Sequence, residues 1–156
     1  MILISACLCG IRCKYNQEDN AHPVFVTLLK EGKALPVCPE QLGGLPTPRV
    51  ASEILNGTGN DVLNRHAEVI TREGQTVTKE FILGAEEALK IAQITGMKKA
   101  VLKSRSPSCG VNRIYDGTFQ SKIISGDGVA AALLRKNGIE VISDQEFLQE
   151  KGETIQ

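Results

Sequence analysis

Three short apolar runs in this chain each end in a cysteine. Met1-Ile2-Leu3-Ile4 leads into Ser5-Ala6-Cys7, and Ala34-Leu35-Pro36-Val37 leads into Cys38-Pro39-Glu40. Ala100-Val101-Leu102 leads into Lys103-Ser104-Arg105-Ser106-Pro107-Ser108-Cys109-Gly110. Each run has the length of a buried strand, and glycine or proline interrupts regular structure soon after it. Buried strands of this kind lie side by side in a parallel sheet. The loops at their carboxyl ends then line one crevice, where ligands of open α/β sheets bind. The repetition therefore predicts that three thiols far apart in sequence meet at one place.

The intervening segments supply helices. Residues 22–31 carry Pro23 in the first turn and Gly32 just past the end. Over 78–95, Phe81, Ile82, Ala85, Ala88, Leu89 and Ala92 recur at helical spacing, with Thr78 as the predicted cap and Gly96 as the stop. Residues 129–135 read as a helix after Gly126-Asp127-Gly128, residues 139–142 as a further strand, and Asp144 as the cap of a short last helix. Residues 39–61 hold three prolines and four glycines, so no long regular element fits there. An ordered loop of that length is usually functional. Alternation on either side of Gly74 suggests a small hairpin of 66–71 with 75–77, and Asp116-Gly117 marks a turn. The tail from Lys151 is polar and expected to fray. Strands alternating with helices predict a single α/β domain over residues 1–156. Its sheet is mostly parallel, of about four to five strands, with helices on both faces.

Composition narrows the function classes. The chain has 156 residues, enough for one real core. Eighteen basic residues balance 18 acidic ones, which gives no electrostatic case for a nucleic-acid backbone as partner. No apolar run approaches the ~20 residues that span a bilayer. The N-terminal apolar run is short, lacks a basic leader and reads as a strand, so a cytoplasmic protein is expected. Five cysteines, an odd number, make a disulfide framework a poor fit and favour metal or catalytic roles. The oligomeric state is not readable.

Spacing alone leaves three uses for the thiols: a metal or cluster site, a redox or nucleophilic site, and inert packing. Zinc and iron–sulfur clusters both take thiolates. A cubane cluster with three protein ligands leaves one iron open, a Lewis acid suited to a soft sulfur atom. Cys9 and Cys13 complete no familiar zinc pair. Glu40, two residues after Cys38, suits a general base for whatever the metal holds; by itself it would be a solvated loop glutamate. Ser106 and Ser108 can orient a water or serve as plain turn residues. His22 and His66 read as structural. Arg49 and Glu53 could bind a polar ligand or form a surface pair. Gly126-x-Gly128 before a helix could admit an anion.

Taken together, these segments resemble the thiouracil desulfidase family. The resemblance rests on Ser5-Ala6-Cys7-Leu8 with Gly10, and on Pro36-Val37-Cys38-Pro39-Glu40 with Gly43-Gly44-Leu45 and Pro48-Arg49. Ser106-Pro107-Ser108-Cys109-Gly110 and Gly126-Asp127-Gly128-Val129 complete it. It implies a [4Fe-4S] cluster with one open iron, held by Cys7, Cys38 and Cys109, with Glu40 and Ser106 as the catalytic pair. It also implies a small thiolated nucleobase as substrate, losing its sulfur as sulfide without net redox change. Cys13 is often absent from the family, which argues against an essential ligand there. Cys9 stands where leucine is usual, and Asn16-Gln17 where many members carry Asp-Gly. The alternatives are a non-enzymatic iron–sulfur or zinc sensor, and a dithiol oxidoreductase using Cys7, Cys9 or Cys13.

Overall fold

The computed structural model describes residues 1–153. In chain order the elements are β1 (Ile2–Ser5), α1 (Pro23–Lys30), β2 (Ala34–Val37), α2 (Pro39–Leu42), β3 (Ser52–Leu55), α3 (Gly59–Leu63), β4 (Glu68–Thr71), α4 (Thr78–Thr95), β5 (Lys99–Leu102), β6 (Arg113–Tyr115), β7 (Ile123–Ser125), α5 (Val129–Lys136), β8 (Glu140–Ser143) and α6 (Asp144–Glu150). A turn of 3-10 helix, Ala6–Cys9, follows β1.

The predicted strand runs form one sheet in the order β2-β1-β5-β8, and every pairing in it is parallel. Successive side chains go to opposite faces, as the pleat requires. Leu3, Val37, Ala100, Leu102 and Val141 pack against Ala92 of α4 and Ala131 and Leu134 of α5. Ile4, Ala34 and Val101 pack on the other side against Phe25 of α1 and Phe147 and Leu148 of α6. Both faces are therefore covered, which is why the strands read as unbroken apolar runs rather than alternating ones. Pro36 is tolerated because β2 is an edge strand, where a missing N–H costs no ladder bond. The chain passes from β1 to β2 on one side and later crosses to β5 on the other. Such a reversal opens a crevice at the carboxyl ends of β1 and β5.

Some local expectations hold and several need correction. The small hairpin forms around the Ile70–Thr76 bridge, with Thr71 N–H on the Gln75 carbonyl at 2.8 Å and Val77 N–H on the Val69 carbonyl at 2.9 Å; beyond it, β4 also pairs antiparallel with β3, out of the Pro/Gly-rich stretch. The apolar Ile54 and Val69, both fully buried, select that longer-range pairing. The Asp116-Gly117 turn opens a longer connection, after which β7 pairs antiparallel with β6. Thr78 does not cap α4; its hydroxyl accepts the Val69 N–H at 3.0 Å and ties the helix to β4. Ser143, not Asp144, caps α6, in a reciprocal box with Glu146. Lys151–Glu153 are hydrogen-bonded back to α6, so the expected fraying does not begin at 151; the rest of the tail lies outside the described residues. No helix among the described residues is long and apolar enough to cross a membrane.

Candidate active site

A cavity of about 470 Å³ opens at the carboxyl ends of β1, β2 and β5, and Cys7, Cys13, Cys38, Cys109, Glu40 and Ser106 all stand in its wall. All five cysteines are free thiols. Three of the four in the wall are those that the strand pattern predicted to converge.

Each of those three is fixed by its own local structure. Cys7 sits in the 3-10 turn directly after β1, where Asn20 donates its side-chain N–H to the sulfur at 3.4 Å and its backbone N–H to the Cys7 carbonyl at 2.9 Å. Cys38 caps α2, with Pro39 at the first helical position. Cys109 lies in the turn after β5. There the Ser106 hydroxyl oxygen accepts the N–H groups of Ser108 at 3.2 Å and Cys109 at 3.1 Å, and Gly110 N–H closes the turn on the Ser106 carbonyl at 2.8 Å. The carbonyls of Pro107 and Ser108 in turn take the first N–H groups of α5, from Val129 at 2.8 Å and Ala130 at 2.9 Å. Gly126-x-Gly128 is thus no anion site: the helix start is spent on the cysteine turn. Gly128 is needed for that approach, since a Cβ there would lie 2.6 Å from the Ser108 carbonyl.

Cys13 is the thiol that the strand pattern missed. It follows no strand of its own, yet it is 3% exposed in the same cavity wall, and the Cys38 thiol donates to its carbonyl at 3.8 Å. The neighbouring Cys38 and Cys7 thiols, with burial, hold the Cys13 thiol far above the ordinary thiol range. The Cys13 thiol beside it brings Cys38 down to about 7, against desolvation and with help from the Gln41 N–H. Cys7 is lowered for the same first reason, with Asn20 and the Lys103 charge adding to it. Burial pushes Cys109 up to about 12. Cys9 is different: it faces the core, donates to the Phe25 carbonyl at 3.6 Å, and is pushed up to about 11 by burial.

Glu40, on the one-turn helix after Cys38, is gripped at both oxygens. Arg49 donates to Oε1 at 3.2 Å, and the Ser108 hydroxyl donates to Oε2 at 3.1 Å. Ser106 meets Ser108 at 3.0 Å between hydroxyl oxygens. Ser108 has one proton, and a carboxylate is the stronger acceptor, so the Ser106 hydroxyl donates to Ser108. A relay Ser106–Ser108–Glu40 results, and the residue that touches the carboxylate is Ser108, buried at 1% exposure. Arg49 also donates to the carbonyls of Cys13 at 2.8 Å and Pro46 at 3.2 Å, and to the Thr47 hydroxyl at 3.0 Å. Of the two readings left open for Arg49 and Glu53, the surface pair does not form: Arg49 pairs with Glu40. Glu53 is buried and accepts the N–H groups of Gly117 at 3.0 Å and Phe119 at 3.1 Å, which holds the β6–β7 connection over the cavity. Backbone contact sets the position of α2: a Cβ on Gly43 would strike the Glu80 carbonyl of α4, and one on Gly84 the Pro39 carbonyl. His22 caps α1 through its ring nitrogen, accepting from Val24 at 3.3 Å, and His66 is exposed, so neither enters the site.

Among the described residues no three His, Cys, Asp or Glu side chains stand tightly enough to hold one metal ion. Ligands of a polynuclear cluster bind separate irons and need not converge so closely. A donor set of free thiols around one cavity fits an iron–sulfur cluster by its chemistry. Fold and site together define an α/β protein with a thiol-lined ligand cavity at its topological switch point.

Comparison with known proteins places the chain within that class. The profile of the 2-thiouracil desulfurase family matches residues 2–146, and the chain belongs to this family. It is 47% identical over 147 residues to the uncharacterized protein YbbK of Bacillus subtilis (strain 168), covering 94% of this chain and 97% of that one. It is similar in structure to the [4Fe-4S]-dependent thiouracil desulfidase TudS, with a TM-score of 0.83 and 39% identity, over 95% of this chain and 93% of the other.

Proposed function

We propose that this protein is an iron–sulfur-dependent desulfidase that converts the thiocarbonyl of a thiouracil-like base to a carbonyl and releases sulfide. The observation that carries this reading is the meeting, in one cavity, of thiols from three neighbouring strand ends with a carboxylate fixed at both oxygens. The cavity has the size usual for a small-molecule site.

Cys7, Cys38 and Cys109 would hold a [4Fe-4S] cluster as thiolates. When bound, the cluster supplies an open iron, a Lewis acid suited to a thiocarbonyl sulfur. The chain's own groups do the proton work. Glu40 takes a proton from a water beside the substrate carbon, and that water attacks the carbon. Arg49 and Ser108 keep the carboxylate in one orientation while it does so, which is the main requirement for a base acting on a single bound water. Ser106 supports the Cys109 turn with its oxygen and feeds the relay with its proton. The carbon–sulfur bond then breaks, sulfur leaves as sulfide and the carbon becomes a carbonyl, so no electrons are needed. Five free thiols suit a reducing compartment, and the cytoplasm is the site of action we favour.

The test is an anaerobic absorption spectrum with iron and sulfide analysis for the wild type and for single cysteine-to-serine variants. Losing Cys7, Cys38 or Cys109 should remove most of the cluster absorbance, whereas Cys9→Ser and Cys13→Ser should retain most of it. Equal losses at all five positions would refute the ligand set.

A further inference from the structure

We propose that Cys13 is a fourth, displaceable thiolate ligand, which covers the iron left open by Cys7, Cys38 and Cys109 while no substrate is bound. The inference rests on the cluster reading above and goes beyond its three ligands.

Four observations carry it. The Cys13 side chain is buried in the same cavity wall as all three proposed ligands and packs in one cluster with Cys7 and Cys38. Its backbone is held there: its N–H donates to the Ile11 carbonyl at 2.8 Å, and its own carbonyl takes Arg49 Nη2 at 2.8 Å and the Cys38 thiol at 3.8 Å. Cys9, four residues earlier on the same loop, shows what a packing cysteine looks like here, since its thiol turns to the Phe25 carbonyl in the core. Finally, the carboxylate nearest to these thiols already has a partner at each oxygen, Arg49 at one and Ser108 at the other. Cys13 is left as the further soft donor in the wall beside the three.

Binding needs only loss of the thiol proton to solvent and changes no oxidation state. Three thiolates retain the cluster without it. The fourth decides whether the remaining iron is open to oxidants and chelators when no substrate is present. Because a substrate sulfur needs the same position, the Cys13 bond has to be the one that yields.

The experiment uses anaerobically reconstituted holoprotein, matched for iron and sulfide: wild type, Cys13→Ala, Cys13→Ser and, as control, Cys9→Ser. Each is treated with ferricyanide and an iron chelator. Iron release and the electron paramagnetic resonance signal of a three-iron cluster are followed, and circular dichroism checks that each variant is folded. Cys13→Ala should lose its fourth iron at least about tenfold faster than wild type, the lower end of what even an outer-shell change costs in metal affinity. Cys13→Ser should fall between the two, and Cys9→Ser should match wild type. Equal iron loss from wild type and Cys13→Ala, both with clusters, overturns the role of Cys13 and leaves the cluster reading intact. A folded Cys13→Ala that holds no cluster also overturns it, by making Cys13 obligatory. A wild type that takes up no cluster overturns both.

Discussion

Replacing Arg49 with methionine removes one guanidinium from four hydrogen bonds at once, to Glu40, Pro46, Thr47 and Cys13. The pair is well shielded, with 6% of the arginine side chain and 16% of the glutamate side chain exposed. Breaking a buried pair on one side costs roughly 3–5 kcal/mol, because the other charge is left without its partner. Glu40 borders an open cavity and keeps its bond from Ser108, so water can recover part of that. About 3 kcal/mol is the reasoned cost, which for a chain of this size lowers the melting temperature by roughly 6–12 °C. Arg49→Lys keeps the charge but not the planar fork, and one ammonium cannot span the Glu40 carboxylate and the Cys13 carbonyl together. It should lose about half as much. The assay is thermal and urea unfolding of the cluster-free protein, with Glu40→Gln and the double variant completing a cycle. An interaction energy of about 1–3 kcal/mol is expected for groups in direct contact. If Arg49→Met unfolds within about 0.5 kcal/mol of wild type, as an unimportant surface change does, Arg49 does not organise the site.

Other consequences are as direct. Ser108→Ala removes the hydroxyl on Glu40 Oε2 and should lower turnover more than Ser106→Ala, whose oxygen mainly supports the Cys109 turn; steady-state sulfide release with matched cluster content checks the order. Gly84→Ala places a methyl group against the Pro39 carbonyl and displaces the helix that carries Glu40. It should cost about 1–3 kcal/mol, the usual scale of overpacking, read by chemical unfolding, together with a loss of activity. In the cluster-free protein Cys38 should be the first thiol alkylated by iodoacetamide. Its lowered pKa populates the thiolate above about pH 7, so the rate should climb through that pH and level off above it, while Cys9 and Cys109 stay inert until far higher pH. Peptide mass mapping across pH 6–9, a range bracketing about one unit or more around that value, would reveal any other order.

The main sheet was legible because its strands are buried on both faces. Leu3 and Ile4 point in opposite directions and are both apolar, so the run stands out whichever way it faces. The small sheets were less so, because β3 finds β4 across the α3 segment, and long-range pairing leaves no local periodicity to read. Of the site, the thiols at strand ends followed from topology. Cys13 did not, because no strand delivers it; the contacts of Arg49 and of the Cys38 thiol to its carbonyl exist only in three dimensions. The residues alone weighed Ser106 and Ser108 alike and the family resemblance singled out Ser106, yet Ser108, buried at 1% exposure, is the serine that touches Glu40. Asp144 was read as a cap by residue type; the structure instead uses its carboxylate to accept the Ser104 N–H at 2.8 Å and to anchor Lys103 at 3.4 Å.

The central claim is tested most directly by measuring sulfide release from 2-thiouracil under anaerobic conditions with cluster-replete wild type, cluster-free wild type and cluster-replete Glu40→Gln. The account predicts that only the first releases sulfide in step with uracil formation, and that Glu40→Gln, with its cluster intact, falls by about 10²–10⁴-fold, the scale of general base catalysis. Cluster-replete wild type that forms no uracil, or Glu40→Gln at full rate, would contradict it.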